Sequence, residues 1–368
     1  MSSQFALTTP PTDAISAVKF SPLPHSTRLL VSSWDQNLYL YDLRDENGEV
    51  GQGKDKLLSK FPHRAPILDV CWGRDESECY TACLDWDVRR IDLNTGEQHV
   101  LSTHEAGVKS VVFDRQRGIV VSIGWDCMMH VHLVDNGDSN NISSSSNATP
   151  LRIPLPSKPF ACSISPTKLV VAMSNRSNWI YELSTLASAA SNAATNPPPN
   201  INRSLEPWQR RESSLKFMTR TVACMPNDDG YATSSIEGRV AVEWFDPSSE
   251  SQDRKYAFKC HRQPAPDAPG VDVVYPVNAL TFHPVFQTFA SGGGDGVVAL
   301  WDGVAKRRIR QYQRYANSVA GLGYSCDGRF LAVGVCEGFE DGKEIVGGDV
   351  AVYIRELGET EARGKNQK

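Results

Sequence analysis

Two cations placed to face each other are the residues of this chain best suited to chemistry. The stretch SSIEGRVAVEWFD, Ser234 to Asp246, alternates apolar and polar residues with the period of a strand, and RKYAFKCHR, Arg254 to Arg262, does the same. Val240, Val242 and Trp244 are expected on one side of the first strand, and Arg239, Ala241 and Glu243 on the other. Between the two runs, DPSSESQD, Asp246 to Asp253, reads as a loop by composition. Folding them into an antiparallel hairpin about Ser249 sets Arg239 against Lys259 and Glu243 against Lys255. Opposite charges suit the second rung, but two cations directly opposed destabilise the first. Such a rung is a place for an anion. The blander alternative is a pair of solvated strand-end cations with Glu237 compensating.

No other group in the chain points to a reaction. His25, His63, His104, His261 and His283 occur singly beside Pro, Arg or Glu, with no nucleophile at a recurring spacing. His63 and His104 are instead expected to bond turn aspartates. GGGDG, Gly292 to Gly296, joins strand to strand and reads as a tight turn, not a phosphate loop. The acidic run Glu337 to Asp341 lacks calcium-loop spacing. Nine cysteines include no CxxC pair, the nearest two being Cys79 and Cys83, so reduced thiols within strands are expected, not a disulfide or zinc framework. The chain thus reads as a non-enzyme without catalytic residues, metal or cofactor. A net charge of −5 argues against a surface that grips nucleic acid as a whole, and no direct nucleic-acid partner is expected. No run of eighteen apolar residues exists, and the first residues lack the pattern of a signal peptide, so no membrane partner is expected and the chain reads as soluble and intracellular.

The elements that must position the cation rung form a repeat. LLVSSWDQNLYLYD, Leu29 to Asp42, has a small-residue strand, a turn at Trp34-Asp35 and an alternating strand. The same frame recurs around Asp85, Asp126, Asn175, Glu237 and Asp295, so the turn positions are separated by 50, 41, 49, 62 and 58 residues. A four-stranded propeller blade takes about 40–45 residues, with insertions in loops. Each turn follows another recurring strand, and VAGLGYS, FLAVGV and DVAVYI supply a seventh unit that lacks its outer strand. The expected fold is therefore all-β, a seven-bladed β-propeller, with the N-terminal strand QFALT, Gln4 to Thr8, closing the last blade. Residues 1–355 form this single domain. Ser/Asn-rich residues near 136–150 and Ala/Asn/Pro-rich residues near 186–203 are expected as flexible insertions, and 356–368 as a disordered tail.

This geometry gathers further residues. In a blade, turns between the second and third strands share a face with the connections between blades. Trp34, Trp125, Arg239, Lys259, Arg262 and Arg220, which opens an innermost strand, are thus all expected on one face. Trp34 and Trp125 stand where Gly, Ser or Asn would be sterically cheaper, and read either as anchors for a partner peptide or as packing against a neighbouring blade. Trp86 follows its turn acid instead of preceding it and is left out.

At this level the sequence resembles the WD-repeat superfamily. Within it, ISAVKFSP with LLVSSWD, RRESSLKFMTRTVACMP, SSIEGRVAVE, YAFKCHR and YPVNALTFHP together resemble the mitotic spindle checkpoint propellers of the budding-uninhibited-by-benzimidazole group. The likeness covers nearly the whole chain outside the two insertions and the tail. A sister family, the messenger-RNA export propellers that bind a nuclear-pore protein, shares the EGRVA and FKCHR elements; RESSLK and the SSWD turn favour the checkpoint group. The resemblance implies a non-catalytic adaptor, a monomeric propeller within hetero-complexes, nuclear and at kinetochores in mitosis. Its upper face would hold a GLEBS-type segment of a checkpoint kinase or its relative, with Trp34, Trp125, Arg220 and Arg262 toward that segment. Arg239 and Lys259 match the positions that read phosphothreonine in MELT repeats of a kinetochore scaffold. The alternative is a nuclear-pore-associated adaptor in messenger-RNA export.

Overall fold

The recurring turn acid has a local job. Asp35, Asp126, Asn175 and Asp295 each accept a hydrogen bond from the backbone N–H two residues on, at 3.0, 3.0, 3.1 and 3.2 Å, and Asp85 does the same at 3.3 Å. Such side-chain turns reverse the chain between two strands. The next residue then takes a left-handed backbone: Gln36, Trp86, Cys127, Arg176, Gly238 and Gly296 all have φ between 63° and 78°. Glycine tolerates this without cost; the tryptophan does not.

These hairpins build seven four-stranded antiparallel sheets in the computed structural model, which describes residues 3–134, 149–195, 204–338 and 349–364. Blades one to six take residues 15–62, 67–103, 108–154, 159–212, 219–259 and 277–311. Blade seven combines Ser318–Tyr324, Phe330–Cys336 and Ala351–Glu356 with Gln4–Ala6 as its outer strand, in the register Gln4↔Arg355, Phe5↔Ile354 and Ala6↔Tyr353. Innermost strands touch in succession, and the first touches the last, so the ring is closed. The expected fold and its N-terminal closure are both found. Phe5 and Leu7 sink into a core with Ile15, Tyr39, Tyr41, Phe330 and Ile354, and each contributes about 1.5–3 kcal/mol to closure.

Packing between sheets forms the core. Between blades one and two, Leu30, Leu38 and Leu40 meet Ile67, Val70, Trp72 and Cys79. No disulfide joins any of the nine cysteines, and six are buried, where burial pushes the groups of Cys162, Cys224 and Cys260 up to about 12.

Four expectations need correction. The segment near 186–203 is not structureless throughout: helix α1, Leu183–Thr195, buries Leu183, Leu186 and Ala190 against the core of blades three and four. Its spacing of apolar residues is helical, and Ala is the best helix former. Residues 135–148 and 196–203 lie outside the described residues. The tail also docks: Leu357 and Ala362 are buried, Thr288 Oγ1 donates to the Ala362 carbonyl at 2.7 Å, and the buried Glu361 carboxylate lies 3.4 Å from Arg355. In the supposed loop, Ser249–Asp253 forms a short helix, α2, capped by the Ser248 hydroxyl. The hairpin therefore stops at Val242↔Tyr256, and Glu243 never meets Lys255. Glu243 is instead buried, accepting from the Tyr231 hydroxyl at 2.8 Å with Arg211 at 3.8 Å.

Candidate functional site on the upper face

The cation rung forms as its spacing requires. Arg239 opens the strand Arg239–Trp244, Lys259 ends Tyr256–Lys259, and the two are direct register partners. Both elements end at the same face because Gly238 makes the preceding turn. A side chain there would strike the Cys260 carbonyl at 2.7 Å and Val274 Cγ1 at 3.0 Å, so glycine is required by space as well as by its φ of +63°. Lys259 is exposed, and no described carboxylate lies within 4 Å of it. Arg239 Nε lies 3.4 Å from Glu237 Oε2 at an angle that makes no hydrogen bond, and that Nε is buried without a partner among the described residues. Glu237 Oε1 is unmet as well. One cation is thus half compensated and the other not at all.

Arg262 joins this pair. After Lys259 the chain enters a two-stranded ribbon, Arg262–Pro264 with Asp272–Val274, absent from the expected plan and rising beside the blade-five turn. Arg262 Nη2 donates to the Glu237 carbonyl at 3.1 Å, while its Nε is buried and has no hydrogen-bond partner among the described residues. Arg239, Lys259 and Arg262 therefore surround one turn.

Arg220 serves a different part of the same face. Every innermost strand skips one residue near its start where it pairs with the next strand: Ser16, Leu68, Lys109, Phe160, Arg220, Asn278 and Ala320. Bulges of this kind re-aim a side chain, here at the mouth of the central channel. Arg220 is exposed, and its Nε donates to Asn278 Oδ1 at 2.9 Å; Asn278 Nδ2 in turn donates to Ser318 Oγ at 3.0 Å. Lys109 stands near enough to feel it: burial lowers the ammonium below its ordinary value, Asp69 opposes the shift and Arg220 adds to it.

The tryptophans divide. Trp34 is 40% exposed on the turn of blade one. The Asp35 carboxyl beneath it would be raised by burial, but hydrogen bonds from Tyr39, Thr12 and Asn37 hold it below the usual range. Trp125 is half-buried: its ring lies against Gly107 and under the Lys158 ammonium, 5.9 Å from the centroid, and its Nε1 is buried with no hydrogen-bond partner among the described residues. Both share the face with the blade-five cations but stand on other blades. Trp86, left out by its offset from the turn acid, is 49% exposed on the same face in blade two, at φ 78°. Its turn is held by Arg89, 2.5 Å from Asp85 and 2.7 Å from Asp87. The signal was its place directly after the turn acid, which takes the left-handed backbone in the other turns too and is costly for a bulky residue. Phe217, Met218 and Ile236 add exposed apolar surface near Arg220, with the Ile236 amide bonded to the Met218 carbonyl.

Two histidine clusters on this side are structural. His261 bonds Asp295 through Nδ1 and Ser291 through Nε2, both at 2.8 Å, and Trp301 Nε1 donates to the same serine. His104 bonds Asp126 and Ser122 likewise, as expected, and stacks on His130 with ring centroids 3.7 Å apart. His104, Asp126 and His130 stand close enough to hold a cation, but the two His104 nitrogens are already committed to protein partners. His63 departs from expectation, bonding Thr81 and the Phe61 carbonyl in place of a turn acid.

Comparison with known proteins agrees with this architecture. The family described as "WD domain, G-beta repeat" matches residues 274–302. "Mitotic checkpoint protein BUB3.1" of Arabidopsis thaliana is 38% identical, over 98% of this chain and 94% of its own length. "Mitotic checkpoint protein bub3" of Dictyostelium discoideum is 34% identical, over 93% and 92%. A "Poly(A)+ RNA export protein" of Schizosaccharomyces pombe is 29% identical, over 89% and 82%. The chain belongs to the BUB3 family of mitotic checkpoint proteins, non-catalytic WD-repeat scaffolds.

Proposed function

We propose that this checkpoint adaptor uses its upper face to hold two peptides at once: a GLEBS-type segment of a checkpoint kinase or its relative, and a phosphothreonine MELT repeat of a kinetochore scaffold. The observation that carries the reading is the Arg239–Lys259 rung, two cations in register with Glu237 the one carboxylate within 4 Å of either among the described residues. A phosphate docked there would accept a fork from the guanidinium and a point contact from the ammonium, removing the repulsion that the rung otherwise carries. Arg220 at the channel mouth, Arg262 beside the turn and the rings of Trp34 and Trp125 suit an acidic segment with apolar anchors crossing the same face. In this role the chain acts in the nucleus and at unattached kinetochores, bringing kinase to scaffold.

Calorimetry tests it. Arg239→Glu is expected to weaken a phosphorylated MELT peptide by about 2–4 kcal/mol, thirty- to a thousand-fold, while leaving a GLEBS peptide nearly unchanged. Equal MELT affinity in wild type and variant removes the phosphate site. The export relative supports a second reading, an adaptor at the nuclear pore. Recovery of nucleoporins without checkpoint kinase from mitotic extract would favour that one.

A further inference from the structure

We propose that the outer strand of blade six is a binding strip for the phosphodiester backbone of nucleic acid, independent of the peptide face. The segment KRRIRQYQR, Lys306 to Arg314, carries five cations and no acid in a chain whose net charge is −5. It forms the outermost strand Arg307–Gln311 and the residues on either side, and Arg307, Arg308, Arg310 and Arg314 are all exposed. No other outer strand is alike: Gln98–Thr103 and Gln4–Ala6 have no Lys or Arg, and Gln209–Glu212 ends in an acid. Among the described residues, Glu361, 3.6 Å from Arg310, is the one carboxylate within 4 Å of any of the five. Arg308 and Arg314 bond only the neutral amides of Gln311 and Gln263, and Lys306 lies over the Tyr256 ring at 4.9 Å. The negative net charge speaks against a whole surface made for polyanions, not against one strip.

Two features favour a polynucleotide over an acidic peptide. Ile309 is the one apolar side chain within the strand and is only half-exposed, so the strip offers charge without the apolar anchor that gives a peptide most of its affinity. A polynucleotide needs no anchor, because release of its condensed counterions drives binding from charge density alone. The strand is also a poor template for strand addition. Its pairing jumps from Trp301↔Arg308 to Leu300↔Arg310, so Ile309 is a bulge, and edge bulges and edge cations both discourage a further strand. With no exposed aromatic on the strand to stack a base, contact is to phosphates without base preference.

The test is fluorescence anisotropy of the full chain with a labelled 20-nucleotide oligouridylate and a matching oligothymidylate, between 50 and 200 mM KCl. For about four phosphate contacts the expected log–log salt slope is about −2.8, a loss of roughly fifty-fold across that range. Arg307→Glu with Arg308→Glu and Arg314→Glu should reduce affinity at least about tenfold and flatten the slope toward about −1. Arg239→Glu with Lys259→Glu should leave both unchanged. If the triple variant fails to fold by its melting curve, Arg307→Gln with Arg308→Gln gives the same comparison on a smaller scale. Similar affinity for both oligonucleotides supports contact to the backbone alone; a preference above about tenfold for either overturns it. Absence of binding at 50 mM, loss of binding with the Arg239 and Lys259 changes, or equal affinity for a 20-residue polyglutamate would each overturn the proposal.

Discussion

The four consecutive residues Lys259-Cys260-His261-Arg262 divide into two kinds of chemistry. Cys260 and His261 point inward; both His261 nitrogens are bonded at 2.8 Å, to Asp295 and Ser291, and nothing is left for a ligand. Lys259 is exposed opposite Arg239, and Arg262 keeps a buried N–H unmet. A motif read as one string thus serves stability with its middle, while its ends supply two cations of the proposed phosphate site. The criterion that separates them is polar satisfaction: a buried group whose partners are all present holds the fold, and cations left facing each other are the place we propose for an anion.

The sharpest way to break this division is to swap the expected effects. Asp295→Ala strips His261 Nδ1 and the Val297 amide of their acceptor and should cost about 3 kcal/mol in urea unfolding. Lys259→Ala should stay within about 0.5 kcal/mol. Equal losses would erase the distinction.

Acid should separate the two sets next. Burial keeps His63 and His283 neutral down to about 4, His132 to about 3 and His130 to about 2. Unfolded, the same imidazoles take up protons near pH 6.5, so below that pH the unfolded chain binds more protons than the folded one. Stability is therefore whole above about pH 6.5 and falls as pH drops toward 4, by about 2 kcal/mol per such group at pH 5. Urea midpoints at pH 7 and pH 5 measure it, and an unchanged midpoint contradicts the neutral clusters. The proposed ligand changes charge instead: a phosphate with a second pKa near 6 loses charge in the same range, so phosphopeptide affinity should weaken there even where the protein stays folded.

The smallest effects concern the tryptophans. Trp86→Gly relieves a left-handed backbone and should shift stability by less than about 1 kcal/mol either way, while weakening a GLEBS peptide. Trp34→Ala should behave alike in calorimetry, with melting temperature nearly unchanged. A large drop in melting temperature for either would make it a packing residue.

Much of this was legible in the residues. Strand period and the recurring turns gave seven blades because in five turns an Asp or Asn side chain bonds the amide two residues on, and the 239/259 register followed from hairpin arithmetic. What was missed has physical reasons. Leu183, Leu186 and Ala190 carry a helical stripe, but the Ala/Asn composition around them reads as low complexity. Helix α2 ends the blade-five hairpin early, which alternation alone could not reveal, so Glu243 finds Arg211 in place of Lys255. Trp86 escaped because the residue before a turn acid and the residue after it can both be exposed, as Trp34 and Trp86 are, and the pattern singled out only the first. The docking of Leu357 and Ala362 depends on apolar side chains brought together from blades six and seven, which no local pattern encodes.

The most direct measurement is a thermodynamic cycle at the rung: calorimetric affinity of phosphorylated and unphosphorylated MELT peptides for the wild type and for Arg239→Gln with Lys259→Gln. If these two side chains read the phosphate, removing it should weaken the wild type by about thirty-fold or more and barely affect the variant. An equal loss in both proteins would place the phosphate elsewhere and contradict the account.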